Sequence, residues 1–101
     1  MISLISVREL DNYVEKYMET IIIDVREKED FQKSHIRSAI NIPYEEGMEW
    51  NLNKKKRYLL YCERGVTSLM AAREMKKQGY QVASVSGGIS EYKGRNLVFL
   101  R

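Results

Sequence analysis

The chain has 101 residues, 44% of them hydrophobic and 31% charged, with one Pro and six Gly, which suits one globular domain with a single core over residues 1–101 and excludes a disordered or fibrous class. Its net charge is a mild +3, and the densest basic run, Lys54-Lys55-Lys56-Arg57, has no interleaved aromatic residues, so it reads as a solvated turn before a strand and not as a nucleic-acid patch. No apolar run approaches the roughly 20 residues that span a bilayer, the opening MISLISVREL is too short and too soon acidic for a signal peptide, and one cysteine rules out an internal disulfide or a multi-cysteine zinc site, so a cytoplasmic chain is expected.

In chain order, Ser6-Val7-Arg8-Glu9 has the form of a capping box, with Ser6 the N-cap and Glu9 reaching back to its amide. Val7, Leu10, Val14 and Tyr17 then recur at spacings of three, four and three, which predicts a helix ending near Tyr17 or Met18. Residues 20–24 form a short β-branched run without alternation, as in a strand covered on both faces. A helix over 27–33, a strand over 39–42 stopped by Pro43 and a turn of helix near 45–50 follow. Residues 57–61 read as a second doubly covered strand, and 68–78 as a helix with Gly79 just past its end. A shorter strand spans 81–85. Met70 and Met75 are assigned to the core side of the long helix, and Trp50 and the tyrosines to packing. Strands alternating with helices predict an α/β domain with a mostly parallel sheet, whose carboxyl edge is where ligands collect.

Two polar segments meet at that edge: Asp24-Val25-Arg26-Glu27 and Cys62-Glu63-Arg64-Gly65-Val66-Thr67-Ser68. Cys62 directly follows an apolar strand, lies about five residues before a helix expected to start near Ser68, and has Gly65 in the intervening loop. Glycine permits left-handed angles, so the loop can curl until several amides point inward, and the helix adds its own free N–H groups and dipole. Such a cradle favours an anion, and a thiolate is one. A free cysteine is often only a small buried apolar residue; the position of this one at a strand end, before a Gly-bearing loop, favours a reactive sulfur.

The sequence resembles the rhodanese-like family in three blocks that keep the family's order between residues 20 and 93. Ile22-Ile23-Asp24-Val25-Arg26-Glu27, with Asp30-Phe31, Ser34-His35-Ile36 and Ala39-Ile40-Asn41-Ile42-Pro43, resembles the first. Leu60-Tyr61-Cys62 and the loop to Ser68 resemble the active-site block, and Gly79-Tyr80 with Val85-Ser86-Gly87-Gly88-Ile89 the closing one. The resemblance implies a central, mostly parallel sheet of about five strands flanked by helices on both faces. It also implies sulfurtransferase activity: Cys62 takes a sulfane sulfur from a donor such as thiosulfate, holds it as a persulfide and passes it to a thiol, cyanide or protein acceptor, while Glu63, Arg64, Gly65, Val66, Thr67 and Ser68 bind the anion. This chemistry needs no metal and no organic cofactor. The expected partners are that small donor and a thiol or protein acceptor, with no nucleic acid or membrane, on a monomer or weak homodimer.

At Thr67 the pattern departs from the many active members that carry arginine there, while others have a small hydroxyl residue. Arg64 is then the cation inside the loop, balanced by Glu63, and either steers substrate or faces solvent. His35, the lone histidine, is assigned a structural hydrogen bond; its flanking Ser34 and Arg37-Ser38 replace the family's glycines and proline. Asp24 and Arg26 support the scaffold, Asp24 through loop amides and Arg26 through a carboxylate such as Glu27 or Glu45. A phosphatase with a Cys-x5-Arg loop would need arginine where Ser68 stands. The alternative of another class is a non-catalytic binding or sulfur-sensing module on the same fold.

Overall fold

The computed structural model describes residues 1–100, and its centre is a pair of apolar strands laid side by side. The elements run β1 (Ser3–Ser6), a 3-10 turn (Val7–Glu9), α1 (Leu10–Glu15), β2 (Thr20–Asp24), α2 (Lys28–Lys33), β3 (Ser34–Ile36), β4 (Ile40–Asn41), β5 (Arg57–Tyr61), α3 (Val66–Lys77), β6 (Gln81–Ser86), a 3-10 turn (Ile89–Glu91) and β7 (Leu97–Phe99). Five strands form one parallel sheet in the order β1-β6-β5-β2-β4, with β2 and β5 in register from Thr20 opposite Arg57 to Asp24 opposite Tyr61. β3 and β7 pair antiparallel as a separate ribbon.

Both faces of the central strands are covered, which is why β2 and β5 lack alternation. On one face Ile23, Val25, Tyr58, Leu60 and Cys62 pack against Ala71, Ala72 and Met75 of α3. On the other, Ile22, Leu59, Tyr61 and Val85 pack against Leu10 and Val14 of α1. No helix among the described residues is long and apolar enough to cross a membrane.

Several expected elements differ. Ser6 caps by accepting from the Arg8 amide at 3.2 Å, but Glu9 takes the Asn12 side chain instead of reaching back, and the first turn is 3-10. Helix α1 stops at Glu15 because the Lys16 and Tyr17 amides both turn back to the Asn12 carbonyl. No helix forms over 45–50. That segment is held open by side chains from elsewhere: Tyr44 donates to Glu74, which also accepts from the Gly47 amide, and Gln78 donates to the Met48 carbonyl. Met70 is 45% exposed, so of the two methionines only Met75 is core. Strands β1, β3 and β7 were not expected.

Candidate active site

Cys62 lies immediately beyond β5, and its position follows from strand alternation: Tyr58, Leu60 and Cys62 share the face that α3 covers. Helix α3 begins at Val66, two residues earlier than expected, so only Glu63, Arg64 and Gly65 separate the cysteine from it. Val66, Thr67 and Ser68 therefore form the helix's first turn and not part of a loop. Gly65 makes the tight reversal possible with φ of 99°, and a Cβ there would sit 3.0 Å from the Gly87 amide nitrogen.

The reversal aims donors at sulfur. The Gly65 amide donates to Cys62 Sγ at 3.1 Å and the Ser68 amide at 3.3 Å, while Ser68 Oγ lies 3.5 Å away. The Ser68 hydroxyl is itself placed by the Gly65 carbonyl at 3.3 Å and by Ser84 Oγ at 2.8 Å. Ser84 belongs to the site and was missed. Its signal was a hydroxyl set among the apolar residues Val82, Ala83 and Val85 of β6, and it is fully buried. Two further bonds hold the loop from below: the Ile89 and Ser90 amides donate to the carbonyls of Cys62 and Glu63 at 2.9 and 3.0 Å.

Cys62 is only 4% exposed, yet it forms part of the wall of an open cavity of about 410 Å³. The other lining residues are Val25, Arg26, Glu27, Asp30, Tyr44, Glu63, Arg64, Val66 and Thr67. Arg64 and Thr67 are exposed at its mouth, and Arg64 makes no ion pair among the described residues.

Asp24 and Arg26 sit where expected but with other partners. Asp24 accepts from the Arg26 amide at 2.9 Å and from its guanidinium at 2.8–3.1 Å, not from amides of the cysteine loop. Arg26 also donates to the Ser34 carbonyl at 2.6 Å and to Glu63 at 3.2 Å, so its carboxylate partners are Asp24 and Glu63 in place of Glu27 or Glu45. Burial pulls the Arg26 guanidinium down, but Asp24 more than offsets this and holds it above its ordinary range. His35 contacts the Phe31 carbonyl at 2.8 Å and stacks on the Phe31 ring, a structural role outside the cavity. The Ser68 side chain stands where a phosphate-clamping arginine would be needed.

Fold and site together define an α/β domain that holds a lone cysteine in a backbone cradle at the carboxyl edge of a parallel sheet. The model of the rhodanese-like domain matches residues 6–95, and the chain belongs to that family. It is 32% identical over 93 residues to a putative sulfurtransferase, YtwF, of Bacillus subtilis, covering 89% of each chain. It is 39% identical over 77 residues to a putative sulfur carrier protein, YrkF, of the same organism, covering 73% of this chain and 42% of that one. The chain spans less than half the length of YrkF and of two other curated relatives. Its fold matches the crystal structure of a rhodanese-like domain protein from Staphylococcus aureus with a TM-score of 0.83, 24% identity and coverage of 99% and 100% of the two chains.

Proposed function

We propose that this chain is a sulfurtransferase, acting as one domain in the cytoplasm, that carries sulfane sulfur on Cys62. The observation that supports it best is the pair of amides, Gly65 and Ser68, aimed at a sulfur on the wall of an open cavity. With thiosulfate as donor, the Cys62 thiolate attacks the outer sulfur, the S–S bond of the donor breaks, and sulfite leaves with the electron pair. A persulfide anion remains, and an acceptor thiolate, cyanide or a protein thiol then attacks its terminal sulfur and restores the Cys62 thiolate. The charge on sulfur is solvated throughout by fixed donors, which need not reorganise during either step.

In this reading Cys62 is the nucleophile and Gly65 and Ser68 supply the amides. Thr67 offers a hydroxyl at the mouth, Arg64 an exposed cation, Val66 an apolar rim, and Glu63 ties the loop to Arg26. Asp24 and Arg26 hold the edge on which the cavity is built.

The test is an intact mass after incubation with excess thiosulfate or an organic persulfide. A species heavier by one sulfur, removed by cyanide or a thiol and missing in Cys62→Ser, is expected. No adduct from either donor would leave a binding module as the better reading.

A further inference from the structure

The charges around the cavity do not suit a doubly charged donor. The two cradle amides are already taken up by Cys62 Sγ. Of the two guanidiniums on the wall, Arg26 has Nε and Nη2 on buried Asp24, Nη2 also on the Ser34 carbonyl, and Nη1 on Glu63. Arg64 is the cation left over. Against it stand Glu27 and Asp30, both exposed on the wall and neither ion-paired among the described residues, together with Glu63. Tyr44 and Val66 add apolar surface to the same wall, and Val66 is 69% exposed.

We infer that Glu27, Asp30 and Glu63 make this cavity select a donor with at most one negative charge and an apolar body, an organic persulfide, over dianionic thiosulfate. The inference rests on the proposed sulfur transfer through Cys62. As thiosulfate approaches, its sulfonate must share the cavity with three carboxylates while its outer sulfur meets a thiolate. A persulfide R–S–SH brings no sulfonate, and its carbon portion packs on Tyr44 and Val66. The step balances without a co-reactant: the Cys62 thiolate attacks the terminal sulfur, the donor's S–S bond breaks, R–S⁻ leaves with the electron pair, and the proton stays on the new Cys62–S–SH.

The two donors differ in intrinsic reactivity, so the test reads ratios. The rate of sulfur loading on Cys62 is followed by quenched intact mass with thiosulfate and with the persulfide of 2-mercaptoethanol, which carries at most one negative charge and no sulfonate. Raising salt from about 10 mM to about 500 mM shortens the screening length from about 30 Å to a few Å. That change should speed loading from thiosulfate severalfold and leave loading from the persulfide within about twofold. In E27Q/D30N, both sites exposed and outside the core, the thiosulfate-to-persulfide rate ratio should rise about tenfold. A thiosulfate rate that falls or stays flat with salt, or a ratio unmoved by the double substitution, overturns the charge selection while leaving sulfur transfer standing. Failure of both donors to load the wild-type chain overturns sulfur transfer itself.

Discussion

A methyl group added at Gly88 would land 2.4 Å from the carbonyl oxygen of Glu63 and 2.6 Å from that of Cys62, with φ held at 70°. Those contacts are backbone and have no side-chain rotamer to escape through. Gly88 also precedes the two residues whose amides hold the Cys62 and Glu63 carbonyls, so its lack of a side chain lets the final turn press against the cysteine loop. Gly88→Ala is expected to cost at least about 2 kcal/mol by urea denaturation. The folded fraction should also load sulfur on Cys62 at a rate reduced at least about tenfold, since the loop must shift away from its donors. Full loading at wild-type stability would show that the clamp is dispensable. In the sequence, the glycine pair at 87 and 88 was visible only as part of a resemblance. Its purpose was hidden because the backbone it approaches lies some twenty-five residues upstream. Arg26 was hidden in the same way: its charge was plain, but the choice of Asp24 and Glu63 over Glu27 or Glu45 depends on which side of the sheet edge the side chain takes.

At the scale of elements, α3 does two jobs, since its buried face seats it on β5 and its first turn supplies the Ser68 amide and hydroxyl. Ala71 and Ala72 are both fully buried at that seat and set how close the helix lies to the sheet. Ala71→Leu would force three extra carbons into a filled contact, lift the helix and draw Ser68 back from Sγ. A loss of about 1–3 kcal/mol in urea denaturation is expected, with sulfur loading slowed by more than the folded fraction accounts for. Unchanged loading in a destabilised protein would separate the seat from the cradle. Helix α3, β2 and β5 were legible because local signals agree there: unbroken β-branched or apolar runs flanked by turns, and a helix closed by Gly79 at φ of 99°. Strand β1 was not, because Ser3–Ser6 carries two serines in four residues, and the partner that makes it a strand is β6, from Ala83 to Ser86. The segment near 45–50 misled for the reverse reason. Its local pattern allowed a helical turn, and the hydrogen bonds that Glu74 accepts and Gln78 donates determine another path.

Across the whole molecule, the closing segment returns to the first helix through a polar clasp that no local pattern announces. Tyr92 donates to Asp11 and accepts from the Asn96 amide at 2.7 Å, and the Asn96 side chain donates to Asp11 and to Glu15, each at 2.7 Å. Arg95 pairs with Glu15 on the exposed side. From this clasp the chain enters β7, whose pairing with β3 places His35 opposite Val98. Partial burial pushes the Asp11 carboxyl up, but the hydrogen bonds from Tyr92 and Asn96 outweigh that and hold it below the ordinary carboxylate range. Tyr92, partly buried and bonded to that carboxylate, is pushed up to about 12. Because the folded chain binds the Asp11 proton more weakly than the unfolded chain, this group stabilises the fold above the unfolded carboxylate value of about 3.9 and loses that contribution as pH falls through its lower folded value. Asp11→Asn keeps the shape and an acceptor oxygen but removes the titrating charge. It should lower stability by about 1 kcal/mol at pH 7, from the weaker hydrogen bonds of a neutral acceptor, and that deficit should shrink steadily once pH drops below about 4. Urea midpoints of the two proteins measured from pH 7 down to pH 3 check this directly. A deficit that stays constant across that range would mean that the clasp holds through shape alone, with the Asp11 charge contributing nothing to joining the two ends of the chain.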